Sequence, residues 1–217
     1  MTWSAIIFDF DGVIVESVDI KTKAFRELFS EYPEQAEKIV QFHLDNVGVS
    51  RFEKFKVIYR DFLKKPLSED ESKRLGERFS KLVYEEILQC PLVKGIEELL
   101  PQLVVKYPLY VVSAVPQDEV HSLLRARGLE KYFQRIYGMP PTLKADAIQK
   151  IIELHGCNPE EVLLIGDGLH DYQAAKATGI KFVGRLRDGN NPFTKVDCNV
   201  LVHDMTEFKV LLEEGKI

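Results

Sequence analysis

Short apolar runs recur along the chain, and they are almost continuous instead of alternating with polar residues. This pattern, rich in β-branched and aromatic side chains, is typical of parallel strands that are covered on both faces of a sheet. The runs predicted as strands are Ala5–Phe8, Leu109–Val112, Val162–Ile165 and Lys181–Val183, with weaker candidates at Arg135–Tyr137 and Asn199–Val202.

Helical patterns separate these runs. They cover Gly95–Val105, Gln117–Arg127, Leu143–His155 and Leu169–Thr178. Glycines follow the last three patterns where helix C-caps are expected, at Gly128, Gly156 and Gly179. Strands that alternate with helices predict an α/β fold, here a Rossmann-like parallel sheet with helices on both faces.

The connection between the first two strands is unusually long. About a hundred residues separate them, whereas a parallel crossover needs only a dozen or more. Helical patterns fill most of it, at Ile20–Ser30, Pro33–Asn46, Phe52–Leu63 and Ser68–Leu88. We therefore predict an α/β core domain of residues 1–16 and 90–217 and an inserted all-helical cap domain of residues 17–89. The connections between the two domains are predicted hinges, at Gly12–Glu16 and Cys90–Gly95.

Composition narrows the class of protein. The 217 residues carry a net charge of −5, which argues against nucleic-acid binding but leaves room for a small anionic substrate. The cysteines, Cys90, Cys157 and Cys198, have no metal-binding spacing and are expected to be reduced thiols. Because Asp9 and Asp11 interrupt the N-terminal apolar run, we expect no signal peptide or membrane span, and a cytoplasmic location.

Two pairs of aspartates follow predicted strands. Asp9 and Asp11 come after Ala5–Phe8, and their spacing places both carboxylates on one side of an extended chain. Asp167 follows another strand, and Asp171 lies one helical turn later. Each pair alone is also explained by an acidic turn or a helix N-cap. Parallel strands end at a common edge, where α/β proteins bind ligands, so we expect the four carboxylates to converge. Such a cluster suits Mg²⁺.

Ser113 and Lys144 complete the predicted site. Ser113 follows the strand Leu109–Val112 at the same edge, where its hydroxyl and the next backbone N–H groups can hold phosphate oxygens. Lys144 lies in the first turn of a helix, where a positive charge opposes the helix dipole and indicates an anionic partner. The alternatives are an N-cap serine and a solvated lysine.

The candidate site residues fall into four motifs along the chain. DFDGV at residues 9–13, Ser113, Lys144 and GDGLHD at residues 166–171 resemble the signature motifs of the haloacid-dehalogenase-like hydrolases. The helical insertion resembles the cap of the phosphoglycolate phosphatase and β-phosphoglucomutase subfamily. Gly168 departs from the pattern, because serine or threonine is frequent at its position.

The resemblance implies a mechanism. Asp9 attacks phosphorus and forms an aspartyl-phosphate, while Asp11 protonates the leaving group and then activates water. Mg²⁺ is bound by Asp9, Asp167 and the carbonyl of Asp11, and Asp171 supports the metal ligands. The groups that hold the phosphoryl oxygens are Ser113 and Lys144. Phosphoryl transfer mainly requires positioning and charge neutralisation, and a carboxylate can serve as its covalent nucleophile.

The motifs also bear on the activity. True dehalogenases lack the aspartate at the position of Asp11, so we predict a Mg²⁺-dependent phosphatase for a small sugar or organic-acid phosphate. Arg51 lies in a segment that resembles the cap loop of β-phosphoglucomutase and is predicted to bind a distal anionic group. A solvated basic helix face with Lys54 and Lys56 is the alternative for Arg51. A phosphomutase is the alternative activity, although Lys21 replaces the cap histidine of the mutase.

Two other classes of protein fit less well. A receiver domain shares the acidic residues, Mg²⁺, serine or threonine and lysine, but it lacks an inserted helical segment and the D-x-D-G form. A non-catalytic binding protein of this fold usually loses a motif residue, and none is missing here. We expect an enzyme with a small-molecule phosphorylated substrate and no nucleic-acid or membrane partner. The physiological substrate and the oligomeric state stay open.

Overall fold

A computed structural model of the protein describes residues 3–139, 143–187, 189 and 191–217. Its parallel strands form one sheet in the order β3-β2-β1-β4-β5-β6. They are β1 (Ala5–Phe8), β2 (Leu109–Val112), β3 (Arg135–Tyr137), β4 (Val162–Gly166), β5 (Lys181–Arg185) and β6 (Leu201–Val202). All six predicted strands are present. Both β4 and β5 run further than predicted, and β6 is shorter.

Helices flank the sheet in the α/β part of the chain. They are α5 (Ile96–Leu103), α6 (Gln117–Ala126), α7 (Lys144–His155), α8 (Leu169–Thr178) and α9 (Met205–Glu213). The first four were predicted to within about two residues at each end, the usual uncertainty of helix boundaries. Helix α9 was not predicted. No helix in the described ranges combines the length and the hydropathy needed to cross a bilayer.

Strand β1 shows how the sheet is covered. Ile6 and Phe8 point into a hydrophobic cluster that includes residues of α5, α6 and α9. Ala5 and Ile7 point to the opposite face, into a cluster with residues of α7 and α8. Side chains alternate across a strand, so a fully apolar strand must be covered on both faces. The predicted α/β sheet with helices on both faces is confirmed.

The long connection after β1 is helical. It contains α1 (Val18–Leu28), α2 (Pro33–Asp45), α3 (Arg51–Val57) and α4 (Glu69–Gln89). The helical pattern predicted over 52–63 is present, but the helix changes type, because α3 continues as a π-helical segment, Ile58–Leu63. Ser68 caps α4, since its hydroxyl accepts from the Glu71 N–H at 3.2 Å. We refer to α1–α4 with their connections as the helical insertion.

Aromatic rings fill the interior of the helical insertion. Phe25 lies at the centre, with its ring centroid 5.0 Å from that of Phe79 and 6.0 Å from that of Phe55. The imidazole of His43 stacks on Phe25 at 4.2 Å. Edge-to-face and stacked ring pairs add to the free energy gained from burial. These rings belong to the hydrophobic cluster that also covers one face of the sheet, so the apolar interior of the insertion is continuous with that of the sheet.

The two connections between the insertion and the sheet lie side by side. The Glu16 N–H donates to the Pro91 carbonyl, and the Val93 N–H donates to the Ile14 carbonyl, both at 3.0 Å. Arg185 at the end of β5 donates to the Glu16 carboxylate at 2.6 Å. These bonds anchor both chain segments to each other and to the sheet. The division into a core and a cap domain stays a prediction.

Candidate active site

The carboxyl edge of the sheet brings three predicted site residues together. Asp9, Ser113 and Asp167 follow β1, β2 and β4, which are neighbours in the sheet. Asp171 comes from the first turn of α8, and one carboxylate oxygen each from Asp9, Asp167 and Asp171 lies within 4.8 Å of the others. All four side chains are almost completely buried.

Lys144 sits among these carboxylates. Its Nζ lies 2.9 Å from Oδ2 of Asp9 and donates to Oδ1 of Asp171. Burial by itself lowers the pKa of Lys144, but the charges of Asp171 and Asp9 outweigh burial and raise the pKa above its usual value. Lys144 therefore remains an ammonium at neutral pH. Its place at the start of α7 is explained by these partners.

The carboxylates repel one another at this distance. Burial, followed by the charge of Asp171, raises the pKa of Asp167 to about 7. The same two causes raise the pKa of Asp9 well above its usual value, although Lys144 opposes them. A cation between these groups would favour their ionised forms.

Asp167 is the carboxylate with the most room for a metal. Both of its oxygens are buried without a hydrogen-bond partner among the described residues, and Arg187 Nε lies 3.5 Å from Oδ2. Asp171 is already engaged, because its oxygens accept from Lys144 and from the Gly168 N–H at 3.2 Å. Oxygen ligands from Asp9 and Asp167 fit a hard divalent cation such as Mg²⁺. The predicted supporting role of Asp171 is consistent with its bonds.

Two side chains of the helical insertion hydrogen-bond to the carboxylate of Asp11. Its Oδ1 accepts from the Ser17 hydroxyl at 2.5 Å, and its Oδ2 accepts from Lys21 Nζ on α1. Gly12 then turns the chain with φ +69°, and a Cβ at this position would lie 2.1 Å from Asp167 Oδ2. Only glycine fits here, because both the backbone conformation and the approach of Asp167 exclude a side chain.

Ser113 lies at the edge as predicted, but it does not line the cavity. Its Oγ accepts from the Val115 N–H at 3.2 Å in the turn before α6, and the side chain is fully buried. The neighbouring Ala114 lines the cavity instead. The hydroxyl proton of Ser113 has no acceptor in the described part of the chain, so the group can still donate toward the site.

A cavity separates this edge from the helical insertion. Its empty space, including the part open to solvent, is about 540 Å³. The floor consists of Asp9, Asp11 and Asp167, and the roof includes Phe25, Phe79, Lys21, Arg51 and Lys54. The insertion approaches closely, because a Cβ at Gly168 would lie 2.8 Å from the Val47 carbonyl oxygen. The glycine at 168 thus makes room for the 47–49 loop.

Arg51 lies in the roof with its charge already balanced. Its Nη2 lies 2.6 Å from Oε1 of Glu119 on α6, and its guanidinium carbon lies 4.5 Å from the centroid of Phe79. The alternative interpretation, a solvated basic helix face, applies to Lys56, whose side chain is 63% exposed. It does not describe Arg51 or Lys54, which are buried.

Two residues of this region escaped sequence analysis. His43 lies buried in the roof, and its Nδ1 is 3.0 Å from Lys54 Nζ. Its place on the apolar face of α2 with Ile39 and Val40 follows helical spacing, which was the available signal. Glu119, the partner of Arg51, gave no signal, because acidic residues are common in the first turn of a helix.

Comparison with known proteins is consistent with this geometry. A sequence model of the haloacid dehalogenase-like hydrolase family matches residues 6–185. A phosphorylated carbohydrates phosphatase from Thermotoga maritima is 26% identical over 98% of this chain and 92% of its own. A phosphoglycolate phosphatase from Haemophilus influenzae is 27% identical over 94% of this chain and 96% of its own.

A solved structure shares the fold as well. The magnesium-bound HAD-hydrolase YfnB from Bacillus subtilis superposes with a TM-score of 0.71 at 20% identity, covering 98% of this chain and 100% of that one. The family model spans both the strand that carries Asp9 and the turn that carries Asp171, so the match includes every predicted motif. The chain belongs to the haloacid dehalogenase-like hydrolase family.

Proposed function

We propose that this protein is a Mg²⁺-dependent phosphatase that hydrolyses a small phosphorylated sugar or organic acid through an aspartyl-phosphate at Asp9. The contact of Lys144 with both Asp9 and Asp171, beside the unpartnered oxygens of Asp167, carries the proposal. Asp9 supplies a nucleophile, Lys144 a fixed positive charge and Asp167 free metal ligands, all in one buried place. The names of the two relatives and the magnesium bound to YfnB support it.

Asp9 is oriented for attack on phosphorus. Its Oδ1 accepts from the Phe10 N–H at 2.7 Å, and Lys144 holds its Oδ2. A bond forms between a carboxylate oxygen of Asp9 and phosphorus, and the bond from phosphorus to the leaving oxygen breaks as Asp11 gives that oxygen a proton. Water then attacks phosphorus, Asp11 accepts the proton of that water, and phosphate leaves the regenerated Asp9.

The remaining residues of the site would bind and neutralise the charge of the phosphoryl group. Lys144 and the Ser113 hydroxyl would hold the phosphoryl oxygens. Asp9, Asp167 and the Asp11 carbonyl would bind Mg²⁺, which supplies neutralisation of the phosphoryl charge. Asp171 keeps Lys144 in position.

The helical insertion would act as the cap of this site. We propose a cap domain of residues 17–89 on a core of residues 1–16 and 90–217. Lys21 and Ser17 support this role, because they reach Asp11 from the insertion. Closure over the site would exclude bulk water from the phosphoryl group while admitting the one water that Asp11 positions.

A phosphomutase is the competing activity, and Lys21 argues against it. The mutase histidine is replaced by this lysine, which forms an ion pair with Asp11. The purified protein with Mg²⁺ should release inorganic phosphate from an aryl phosphate and from a panel of phosphorylated sugars and acids. Interconversion of hexose 1- and 6-phosphates without phosphate release would overturn the proposal.

A further inference from the structure

Lys54 is a buried ammonium group without an acidic partner. It lies on α3, lines the cavity and is 3% exposed. Its Nζ contacts Nδ1 of His43 at 3.0 Å and the His43 carbonyl oxygen at 3.4 Å. No carboxylate of the described residues lies within 4.0 Å of this nitrogen. One of its three N–H groups is therefore left without an acceptor.

His43 offers a second free donor beside it. Its Nδ1 accepts from the Lys54 ammonium, so the ring proton resides on Nε2. That Nε2 is buried and has no partner among the described residues. Burial, followed by the charge of Lys54, lowers the pKa of His43 to about 2, so the ring is neutral. An unsatisfied donor in such a place destabilises the folded protein unless a ligand accepts from it.

The other basic residues around the cavity differ from Lys54. Lys21 is paired with Asp11, and Arg51 is paired with Glu119. Within the described part of the lining, Lys54 is the cation whose charge no protein carboxylate balances. Arg51 was predicted to bind a distal anion, but the structure leaves Lys54 free for this role.

We propose that Lys54 and His43 form a subsite for a carboxylate of the substrate, so that the substrate is a phosphorylated acid. The inference rests on the proposed phosphatase activity. One positive charge and two free donors match one negative charge and two acceptor oxygens. A second phosphate dianion would carry more negative charge than one ammonium balances. Phe25 stacks on His43, and Val47 and Val49 line the same cavity, so apolar groups near the subsite strengthen the interaction of charges.

Matched substrates test the subsite. We would compare kcat/KM for 3-phosphoglycerate with that for glycerol 3-phosphate, and for 6-phosphogluconate with that for glucitol 6-phosphate. Each pair differs by a carboxylate against a hydroxymethyl group. The protein should prefer the acid of at least one pair by roughly tenfold or more, and Lys54→Met should lower this preference roughly 10- to 100-fold. Lys56→Met is the matched control on the same helix and should leave the preference unchanged.

Stability separates a binding role from a structural one. Burial, followed by repulsion from Lys21, lowers the pKa of Lys54 to about 7, so the folded protein holds this charge at a cost. Lys54→Met should therefore raise the Tm of the ligand-free protein by several degrees at about pH 6, where the lysine is charged in both the folded and the unfolded protein. A lowered Tm would show that Lys54 is required for the fold instead.

These experiments distinguish failure of the subsite from failure of the phosphatase activity. The proposal is overturned if neither acid is preferred over its neutral partner, if Lys54→Met reduces both members of a pair equally, or if a hexose bisphosphate is a better substrate than either acid. Calorimetric titration of the Asp9→Asn protein with the same four compounds measures binding without turnover. Absence of phosphate release from the aryl phosphate and from all four compounds would reject the phosphatase activity, while the titration would still decide the subsite.

Discussion

The guanidinium of Arg51 lies 2.6 Å from the carboxylate of Glu119 and links α3 of the helical insertion to α6 beside the sheet. Ser80 on α4 joins both, because it accepts from Arg51 at 2.7 Å and donates to Glu119 at 2.6 Å. The Arg51 and Glu119 side chains are only 4% and 10% exposed. Since the cavity lies between the insertion and the sheet edge, this group of bonds links the two sides of the cavity.

The first prediction concerns this ion pair. Arg51→Met should destabilise the protein by about 3–5 kcal/mol, because it leaves the Glu119 carboxylate buried without a countercharge. The double variant Arg51→Met/Glu119→Leu should recover most of the loss, since neither charge remains. Urea unfolding at pH 7 measures four proteins, which are the unmodified protein, Arg51→Met, Glu119→Leu and the double variant.

An exposed ion pair provides the control. Arg26 and Glu37 are both largely in solvent, so Arg26→Met should change the free energy of unfolding little. Additive losses in the double variant would contradict a coupled pair at Arg51 and Glu119.

This pair also marks how far sequence reasoning extends. The strands, most helices and the convergence of Asp9, Asp167 and Asp171 follow from local periodicity and from the shared edge of parallel strands. Arg51 and Glu119 are 68 residues apart, and neither position carries a local signal for the contact. The sequence could identify Arg51 as a basic residue near the site, but its partner depends on how the insertion packs against α6.

Helix α9 and the π-helical segment show a second reason why part of the fold could not be predicted from the sequence. The apolar residues of α9 pack against the sheet, as Met205 and Phe208 do, but the helix has only nine residues and follows a two-residue strand. Periodicity over so short a segment does not distinguish a helix from a strand. The change of helix type after Val57 depends on a single altered hydrogen-bond register, which hydrophobic spacing does not report.

The second prediction concerns the nucleophile. Asp9→Asn should abolish phosphate release, because an amide cannot form the acyl phosphate, while the fold should persist with an amide of the same shape. Phosphate release and far-ultraviolet circular dichroism measure the two properties. Asp61→Asn, in an exposed part of the insertion, is the control and should behave as the unmodified protein. Near-normal turnover by the Asp9→Asn protein would reject the covalent mechanism.

The third prediction concerns the metal. A chelator should remove activity and Mg²⁺ should restore it, whereas Ca²⁺ should inhibit, because its larger and more flexible coordination misplaces Asp9. Asp167→Asn should raise the Mg²⁺ concentration needed for half-maximal activity by roughly tenfold or more. Calorimetric titration with Mg²⁺ measures binding independently of turnover. Full activity in excess chelator would show that the aspartate cluster is structural.

The fourth prediction links Lys54 to stability. Its pKa is about 7 in the folded protein and 10.5 as an unperturbed side chain, so the unfolded protein binds the proton more tightly. The cost of Lys54 is therefore fully present below pH 7 and disappears as the pH rises toward 10.5. Lys54→Met should stabilise the protein more at pH 6 than at pH 9, as measured by urea unfolding. An equal gain at both pH values would mean that the ammonium is not desolvated.

The last prediction is kinetic. Below pH 7 Lys54 carries a charge that can bind a substrate carboxylate, and above pH 7 the ligand-free enzyme progressively loses it. The ratio of kcat/KM for 3-phosphoglycerate to that for glycerol 3-phosphate should therefore be constant below about pH 7 and fall above it. Both substrates carry the same phosphate and react at the same aspartates, so taking the ratio cancels the pH dependence that these groups contribute.

The other groups around Lys54 do not imitate this profile, and His170 is already neutral above pH 7 because burial lowers its pKa. His43 is neutral over the whole range because its pKa is about 2, and Lys21 is paired with Asp11. Arg187, which also faces His43, keeps its charge because a guanidinium does not deprotonate in proteins. In Lys54→Met the ratio should be low and independent of pH, whereas Lys56→Met should reproduce the unmodified profile. A ratio in the unmodified protein that stays flat from pH 6 to pH 9 would mean that Lys54 does not meet the carboxylate.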